Sequence, residues 1–326
     1  MRQTMWADRG HLVQLADKEA GPWARCFGAS RLGSVELSAQ ALSIWVQVRG
    51  NAWVEAREGR FYLRPGDWIA LARDSRPVVQ ADRDGLCLGI CIGDEAMKAM
   101  ARFADFGLYV GRGRLRPEDV RPLSRLWYRA ASHPASGDDR PRLSAPLRSL
   151  LLHLEALQDE CRSRMHRCPG SSLARKRQVF ERMQRARLFM EGNCNRMVRI
   201  GELAERTQFS VWYFSKVFHR LYDEGPLAAS ARLRLEHAAN LLASTPLTIG
   251  EVSVASGFDN NCSFARSFRA HYGMTASDYR AAVHAQEPFA QTCGTSRAQH
   301  IAGNRDSIGY GLETDISLAR IRLMGV

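Results

Sequence analysis

The chain has 326 residues, with 46 Lys and Arg against 34 Asp and Glu, a formal net charge of +12. That length allows two domains with cores of their own, and the positive balance suits a polyanionic partner without singling one out. No run of 18 apolar residues occurs, and no charged start leads into an apolar stretch with a cleavage site, so a secreted or membrane-spanning protein is not expected and the compartment is read as cytoplasmic.

Residues 11–92 read as a series of short strands. Ser43 to Arg49 alternates Ile44, Val46 and Val48 against Trp45, Gln47 and Arg49, with Gly50-Asn51 as a hairpin turn and Ala52 to Ala56 as the returning strand. Turn signals recur at Glu58-Gly59, Pro65-Gly66-Asp67 and Asp84-Gly85, a spacing that suits a small antiparallel barrel or sandwich. Trp45, Gln47, Arg49, Trp53, Tyr62 and Trp68 are candidate effector-pocket residues, because aromatic walls with a few polar groups are what a small-molecule site needs. The competing reading is that the tryptophans pack the core or cover the outer face.

Enzyme chemistry finds no support here. No histidine lies between Leu12 and Ser132, which removes the imidazole-rich metal site of a catalytic barrel. Cys26, Cys87, Cys91, Cys161, Cys168, Cys194, Cys262 and Cys293 include no pair of CxxC units, so neither a zinc site nor any cofactor is expected. Gly111-Arg112-Gly113 lacks the third glycine of a phosphate loop and reads as a plain loop.

Helices follow, at Asp94 to Phe106, at Pro117 to Ala131 and from Pro146 onward. In the last of these Leu147, Leu150, Leu154, Leu157 and Cys161 step by 3, 4, 3 and 4, a short heptad seam that makes Leu147, Leu150, Leu154 and Leu157 candidates for a homodimer interface. Leu151 widens the stripe and fits docking on the chain's own domain instead. Residues 1–165 are thus taken as a sensor and dimerisation domain, with helices over 94–165. Residues 166–178, with Cys168-Pro169-Gly170 and then Arg175-Lys176-Arg177, read as a flexible linker.

Beyond it one pattern occurs twice. Ile200, Glu202, Leu203, Ala204, Phe209, Ser210, Phe214 and Phe218 return as Ile249, Glu251, Val252, Ser253, Phe258, Asp259, Phe264 and Phe268, offset by 49 residues and then 50. Each copy reads as two short helices around a turn, with Ser210 capping the second helix of the first copy and Asp259 or Asn260 that of the second. Phe214, Val217 and Phe218, and Phe264 and Phe268, take the inward faces. Val211, Trp212, Ser215, Lys216 and His219 then face outward in one copy, and Asn261, Cys262, Ser263, Ala265, Arg266 and Arg269 in the other. Asn and Arg can form bidentate bonds to adenine and guanine edges, so these are candidate contacts to double-stranded DNA. A helix from Leu227 to Ala243 joins the copies and is expected to space the two recognition helices for successive major-groove segments, roughly 34 Å apart. Residues 175–283 carry 16 Lys and Arg against 10 Asp and Glu, half of the chain's excess charge.

These residues carry a family resemblance. Glu202-Leu203-Ala204 with Ser210 and Phe218, Arg234-Leu235 with Ala238 and Leu241-Leu242, Gly257-Phe258, Phe264-x-Arg266-x-Phe268, Gly273 and Tyr279-Arg280 resemble the DNA-binding domain of the AraC/XylS transcription regulators over about Gln178 to Ala282. The stretch Leu63 to Ile69 resembles the cupin-like sensor barrel found at the N-terminus of that family. The resemblance implies an α+β chain with an antiparallel cupin-like β-barrel, then helices, then an all-α DNA-binding domain over 179–283 holding two helix-turn-helix units. It also implies a homodimer, a small-molecule effector and, for an activator, contact with RNA polymerase. A regulatory protein bound to the barrel is the alternative, and a cupin-type enzyme fused to a DNA-binding domain a remote one. Asp223, Ser253, Cys262 and Ala276 depart from the pattern, Asp223 most consequentially because a glycine usually ends the first unit. Residues 284–326 read as a disordered tail, with a short helix expected over Ile316 to Met324.

Overall fold

Alternating β-branched and aromatic residues in the first third of the chain do form strands. The computed structural model describes residues 4–16, 24–38, 41–102, 106–132 and 143–285, so the expected tail and its helix lie outside the described residues. The strands are β1 (Thr4–Asp8), β2 (Leu12–Leu15), β3 (Ala24–Ser30), β4 (Ser34–Leu37), β5 (Leu42–Arg49), β6 (Ala52–Ala56), β7 (Gly59–Leu63), β8 (Asp67–Leu71), β9 (Val78–Ala81), β10 (Leu86–Ile92) and β11 (Gly111–Arg114). They make two sheets, ordered β1-β3-β10-β5-β8-β11 and β2-β4-β9-β6-β7.

Three expectations change. The sheets are separate, not one closed barrel, and β1 joins β3 and β2 joins β4 in parallel, so the arrangement is not wholly antiparallel. Gly50 takes the positive φ of a turn, 57°, yet β5 and β6 do not pair across it. Asp82 explains why: its carboxylate accepts from the Asn51 backbone N–H and side-chain amide, each at 3.0 Å, which carries the chain from one sheet to the other. Gly111 to Arg114, read as a loop, is the edge strand beside β8.

β3, β5 and β10 are buried on both faces along most of their length, whereas β6 and β7 alternate buried and exposed residues. A strand covered on both sides loses the polar alternation that a half-solvated one keeps. Helices follow the strands: α1 (Asp94–Ala101), α2 (Pro117–Ser132), α3 (Ala145–Ala156) and α4 (Asp159–His166). On α2, Trp127 donates its indole N–H to the Gly89 carbonyl at 2.9 Å and meets Trp6 edge-on at 6.0 Å.

The leucine seam serves its own domain. Leu147, Leu150, Leu151 and Leu154 are buried within the single chain, with α3 packed on α2, and the helix stops at Ala156 before the seam reaches Leu157 or Cys161. A face already covered in one chain is not free to dimerise. Leu150→Ala is therefore expected to cost about 2–5 kcal/mol, as truncation of a buried leucine does. Paired charges at Leu150 and Leu157 are expected to unfold the N-terminal domain, read by circular dichroism; a folded protein that changes only its mass in solution would restore the dimer seam.

The segment expected to be a flexible linker is partly helix. α5 (Leu173–Gly192) begins in it, because Ser172 accepts from the Arg175 N–H at 3.2 Å and so caps a run of good helix formers. α5 buries Phe180, Met183, Leu188 and Phe189, which lie round most of its circumference. It packs on β7 and β11 as well as on α4 and the next helix. The remaining helices are α6 (Ile200–Thr207), α7 (Val211–Tyr222), α8 (Pro226–Ser244), α9 (Ile249–Ala255), α10 (Asn261–Tyr272) and α11 (Ala276–Ala285). The described residues divide into two compact units, and the division does not fall at the expected linker. One unit holds the chain up to Asn193 together with Val198–Ser230, so the first helix pair belongs with the N-terminal sheets; the other holds Cys194–Met197 and the helices from Ala231 onward.

Candidate nucleic-acid interface

Each helix pair is fixed by its own caps. Gln208, at the end of α6, adopts a left-handed conformation with φ 54°, and Ser210 then caps α7 by accepting from the Tyr213 N–H at 3.2 Å. In the second pair Thr248 and Glu251 form a reciprocal capping box at the start of α9, for which the sequence carries the Thr-x-x-Glu signal. Asn260, and not Asp259, caps α10 through the Ser263 N–H at 2.8 Å. Caps of this kind contribute about 1 kcal/mol each.

Beneath the caps the same aromatic ladder occurs twice. Phe214, Phe218 and Tyr222 lie one turn apart on α7, with ring separations of 5.7 and 4.6 Å. Phe264, Phe268 and Tyr272 repeat this on α10 at 5.5 and 4.6 Å. The four phenylalanines are fully buried, as their inward spacing predicts.

An arginine from the preceding long helix holds each turn. Arg182 on α5 donates to the Thr207 carbonyl at 3.3 Å and lies over the Phe209 ring, while Arg234 on α8 donates to the Gly257 carbonyl at 2.8 Å and lies over the Phe258 ring. Burial lowers the pKa of Arg234 below the usual arginine value. Arg182 is absent from the residues singled out by sequence; it lies 52 residues before Arg234, out of step with the 49- and 50-residue repeat.

Asp223 takes the left-handed conformation that glycine usually supplies, with φ 57°, and the turn does not move to Gly225. Its carboxylate accepts two bonds from Arg167, at 2.5 and 3.0 Å, and that partner holds the carboxyl pKa below the usual range.

Opposite the ladders lie the candidate DNA residues. On α7, Trp212 is 69% exposed and Val211 50%; Lys216 and His219 are exposed and Ser215 half-buried. The Lys216 ammonium sits over the Trp212 ring at 4.8 Å, which orders two long side chains on an otherwise open face. On α10, Cys262, Ala265, Arg266 and Arg269 are exposed and Ser263 is half-buried. Asn261 is exposed but leans toward α9, its amide nitrogen 3.3 Å from where a Cβ on Gly250 would stand. Arg266 reaches only the Cys262 carbonyl at 3.4 Å, and among the described residues neither it nor Arg269 has an acidic partner.

Residues 203–282 match the family model of a helix-turn-helix domain. The chain carries an AraC-type DNA-binding domain. The transcriptional regulator CdhR of Pseudomonas aeruginosa is 36% identical over 93 residues, which is 28% of this chain and 28% of CdhR, so the match spans little more than a quarter of that relative. The regulator ExsA of the same organism is 23% identical over 246 residues, covering 73% of this chain and 85% of ExsA. A solved structure of the DNA-binding domain of AdpA with a target DNA is similar at 24% identity, covering 32% of this chain and 96% of that one with a TM-score of 0.32. Within the matched residues α7 and α10 are the second helices of the two pairs.

The effector candidates do not gather in one place. Trp45 and Gln47 are fully buried and Trp68 nearly so, Arg49 is exposed, and Trp53 and Tyr62 pair on an exposed face at 4.8 Å. β6 and β7 pair Trp53 with Tyr62 in register, and the alternation that buries Val54 and Phe61 turns both rings outward. Trp45 instead packs on Phe27 at 6.2 Å. No helix among the described residues is long and apolar enough to cross a membrane.

Proposed function

We propose that this chain is a sequence-specific transcription regulator whose α7 and α10 enter the major groove of double-stranded DNA, with its N-terminal domain controlling that binding. The observation that carries the reading is the duplicated pair of stapled turns, each presenting an exposed helix face whose cation has no acidic partner among the described residues. Control through the N-terminal domain follows from α5, whose one helix packs on β7 and β11 and supplies Arg182 to the first turn. An effector, RNA polymerase for an activator, and a second copy of the chain are the partners this role calls for.

Selection of a binding site from random DNA with the full chain tests it. Arg266→Ala is expected to cost on the order of 1–3 kcal/mol on the selected site and to relax preference at the base it reads. Lys216→Ala is expected to weaken selected and unrelated DNA alike, as loss of a cation near phosphates does. No enrichment of any sequence would end the reading; unchanged affinity and preference in Arg266→Ala would remove α10 from the groove.

A second reading of the N-terminal domain, in which a protein partner replaces the metabolite, is favoured by the exposed Trp53–Tyr62 pair, since a paired aromatic surface is what an interface core uses.

A further inference from the structure

A cavity of about 70 Å³ lies between strand β11, helix α4 and helix α5, with room for a few waters or one small anion. Each of its two carboxylates has an arginine partner. Glu160 is paired with Arg164, and Glu191 with Arg187 at 2.9 Å. The Gln184 side-chain oxygen accepts from the Tyr222 hydroxyl at 2.7 Å, and Gln158 exchanges both of its amide bonds with the Tyr109 backbone at 2.8 and 2.9 Å. Arg112 and Arg114 have no carboxylate partner among the described residues, and Arg112 lies over the Phe61 ring at 5.9 Å. β11 is also the edge strand of its sheet, so part of its backbone faces away from β8. Glycine keeps that backbone open: a Cβ on Gly111 would stand 2.8 Å from the Gln184 amide nitrogen, and one on Gly113 2.9 Å from the Trp68 indole nitrogen.

Four arginines against two carboxylates, each already paired, leave the recess with excess positive charge, which favours an anion. We infer that this cleft binds a small oxyanion, a phosphate or a carboxylate, held by Arg112 and Arg114. Its far wall leads to the first recognition helix. Arg164 and Arg187 lie over the Tyr222 ring at 5.7 and 4.5 Å, Tyr222 bonds Gln184, and the next residue, Asp223, ends α7 on Arg167. An anion drawing on the cleft arginines therefore acts on the side chains that seat the end of α7. This names a ligand class and a site for the control proposed above, and only the effect on DNA rests on that reading.

The full chain is titrated with inorganic phosphate, and separately with acetate and succinate, against chloride at matched ionic strength, and the Tm is followed without DNA. A saturable rise is expected with phosphate or with the carboxylates, and the arm that gives it names the ligand class. Arg112→Gln with Arg114→Gln is expected to keep the Tm measured in chloride and to weaken the anion by roughly tenfold or more. Gly113→Ala crowds the Trp68 indole without touching charge, so it is expected to lower the Tm in chloride as well as to weaken the anion. At saturating anion, affinity for the selected DNA is expected to change by about fivefold or more in the wild type and not in the double variant. No saturable rise in any arm overturns the inference, as does a rise that survives both variants. A rise lost in Lys216→Ala with Arg266→Ala instead places the anion on the DNA face and overturns it too, and unchanged DNA affinity at saturating anion overturns the coupling. A chain that binds no DNA still answers through Tm, so the two readings fail separately.

Discussion

Phe218→Ala is expected to lower unfolding free energy by about 3–5 kcal/mol, and Phe268→Ala by a similar amount. Phe218 stacks between Phe214 and Tyr222, and Phe268 touches Phe264, Tyr272 and Tyr279 at 5.5, 4.6 and 5.6 Å. Both rings are fully buried, so truncation loses transfer free energy and leaves a void whose aromatic walls cannot close. The two variants should differ in where they act. Phe268 belongs with Leu235, Ala238, Leu242, Val252 and Phe264 in the core of the second helix pair, whereas Phe218 lies in the unit that contains the N-terminal sheets. Hydrogen exchange should then show Phe268→Ala loosening α9 to α11, and Phe218→Ala loosening α6 and α7. Denaturant titration gives the magnitude. A Phe218→Ala protein with wild-type stability that has lost DNA binding would mean the inward and outward faces of α7 are exchanged.

Gly192→Ala is expected to destabilise by on the order of 3 kcal/mol, although helix propensity alone predicts the opposite sign. Gly192 is the last residue of α5, where alanine would ordinarily gain up to about 1 kcal/mol. Here a Cβ would stand 2.6 Å from the Glu58 carbonyl oxygen, 2.8 Å from the Phe61 ring and 2.9 Å from the Gly59 Cα. Gly59 is equally confined, since it has φ 133° and its own added Cβ would overlap the Gly192 backbone. Asn193 secures the contact by donating to the Glu58 carbonyl at 2.8 Å, and Ser75 donates to the buried Glu58 carboxylate at 2.7 Å. Two backbones this close leave no flexible side chain to move aside, so the cost falls on the docking of α5 against the β6–β7 turn. Thermal unfolding of Gly192→Ala and Gly59→Ala checks it. A Gly192→Ala protein more stable than wild type would show that α5 does not stay docked there in solution.

The sequence by itself determined what depends on local period and local chemistry. The 49-residue repeat, the inward phenylalanines and the outward polar faces of α7 and α10 were legible because helical spacing and cap residues act within a few positions. Arg182 was not, because its 52-residue offset from Arg234 is out of step with the repeat. Strands were legible as strands, but their partners were not: β5 and β6 look like a hairpin until the Asp82 carboxylate takes the turn amides from 31 residues away. The leucine rhythm of α3 fits a partner helix or its own domain equally well, and only the burial of Leu150 on its own domain decides between them. Ser172 caps α5 inside the stretch read as a linker, and where α5 docks depends on two glycines far apart in sequence. The cleft beside β11 draws Trp68, Arg112, Arg164 and Gln184 from four separate stretches. Such a site has no local signature, because its donors are neighbours only after the chain has folded.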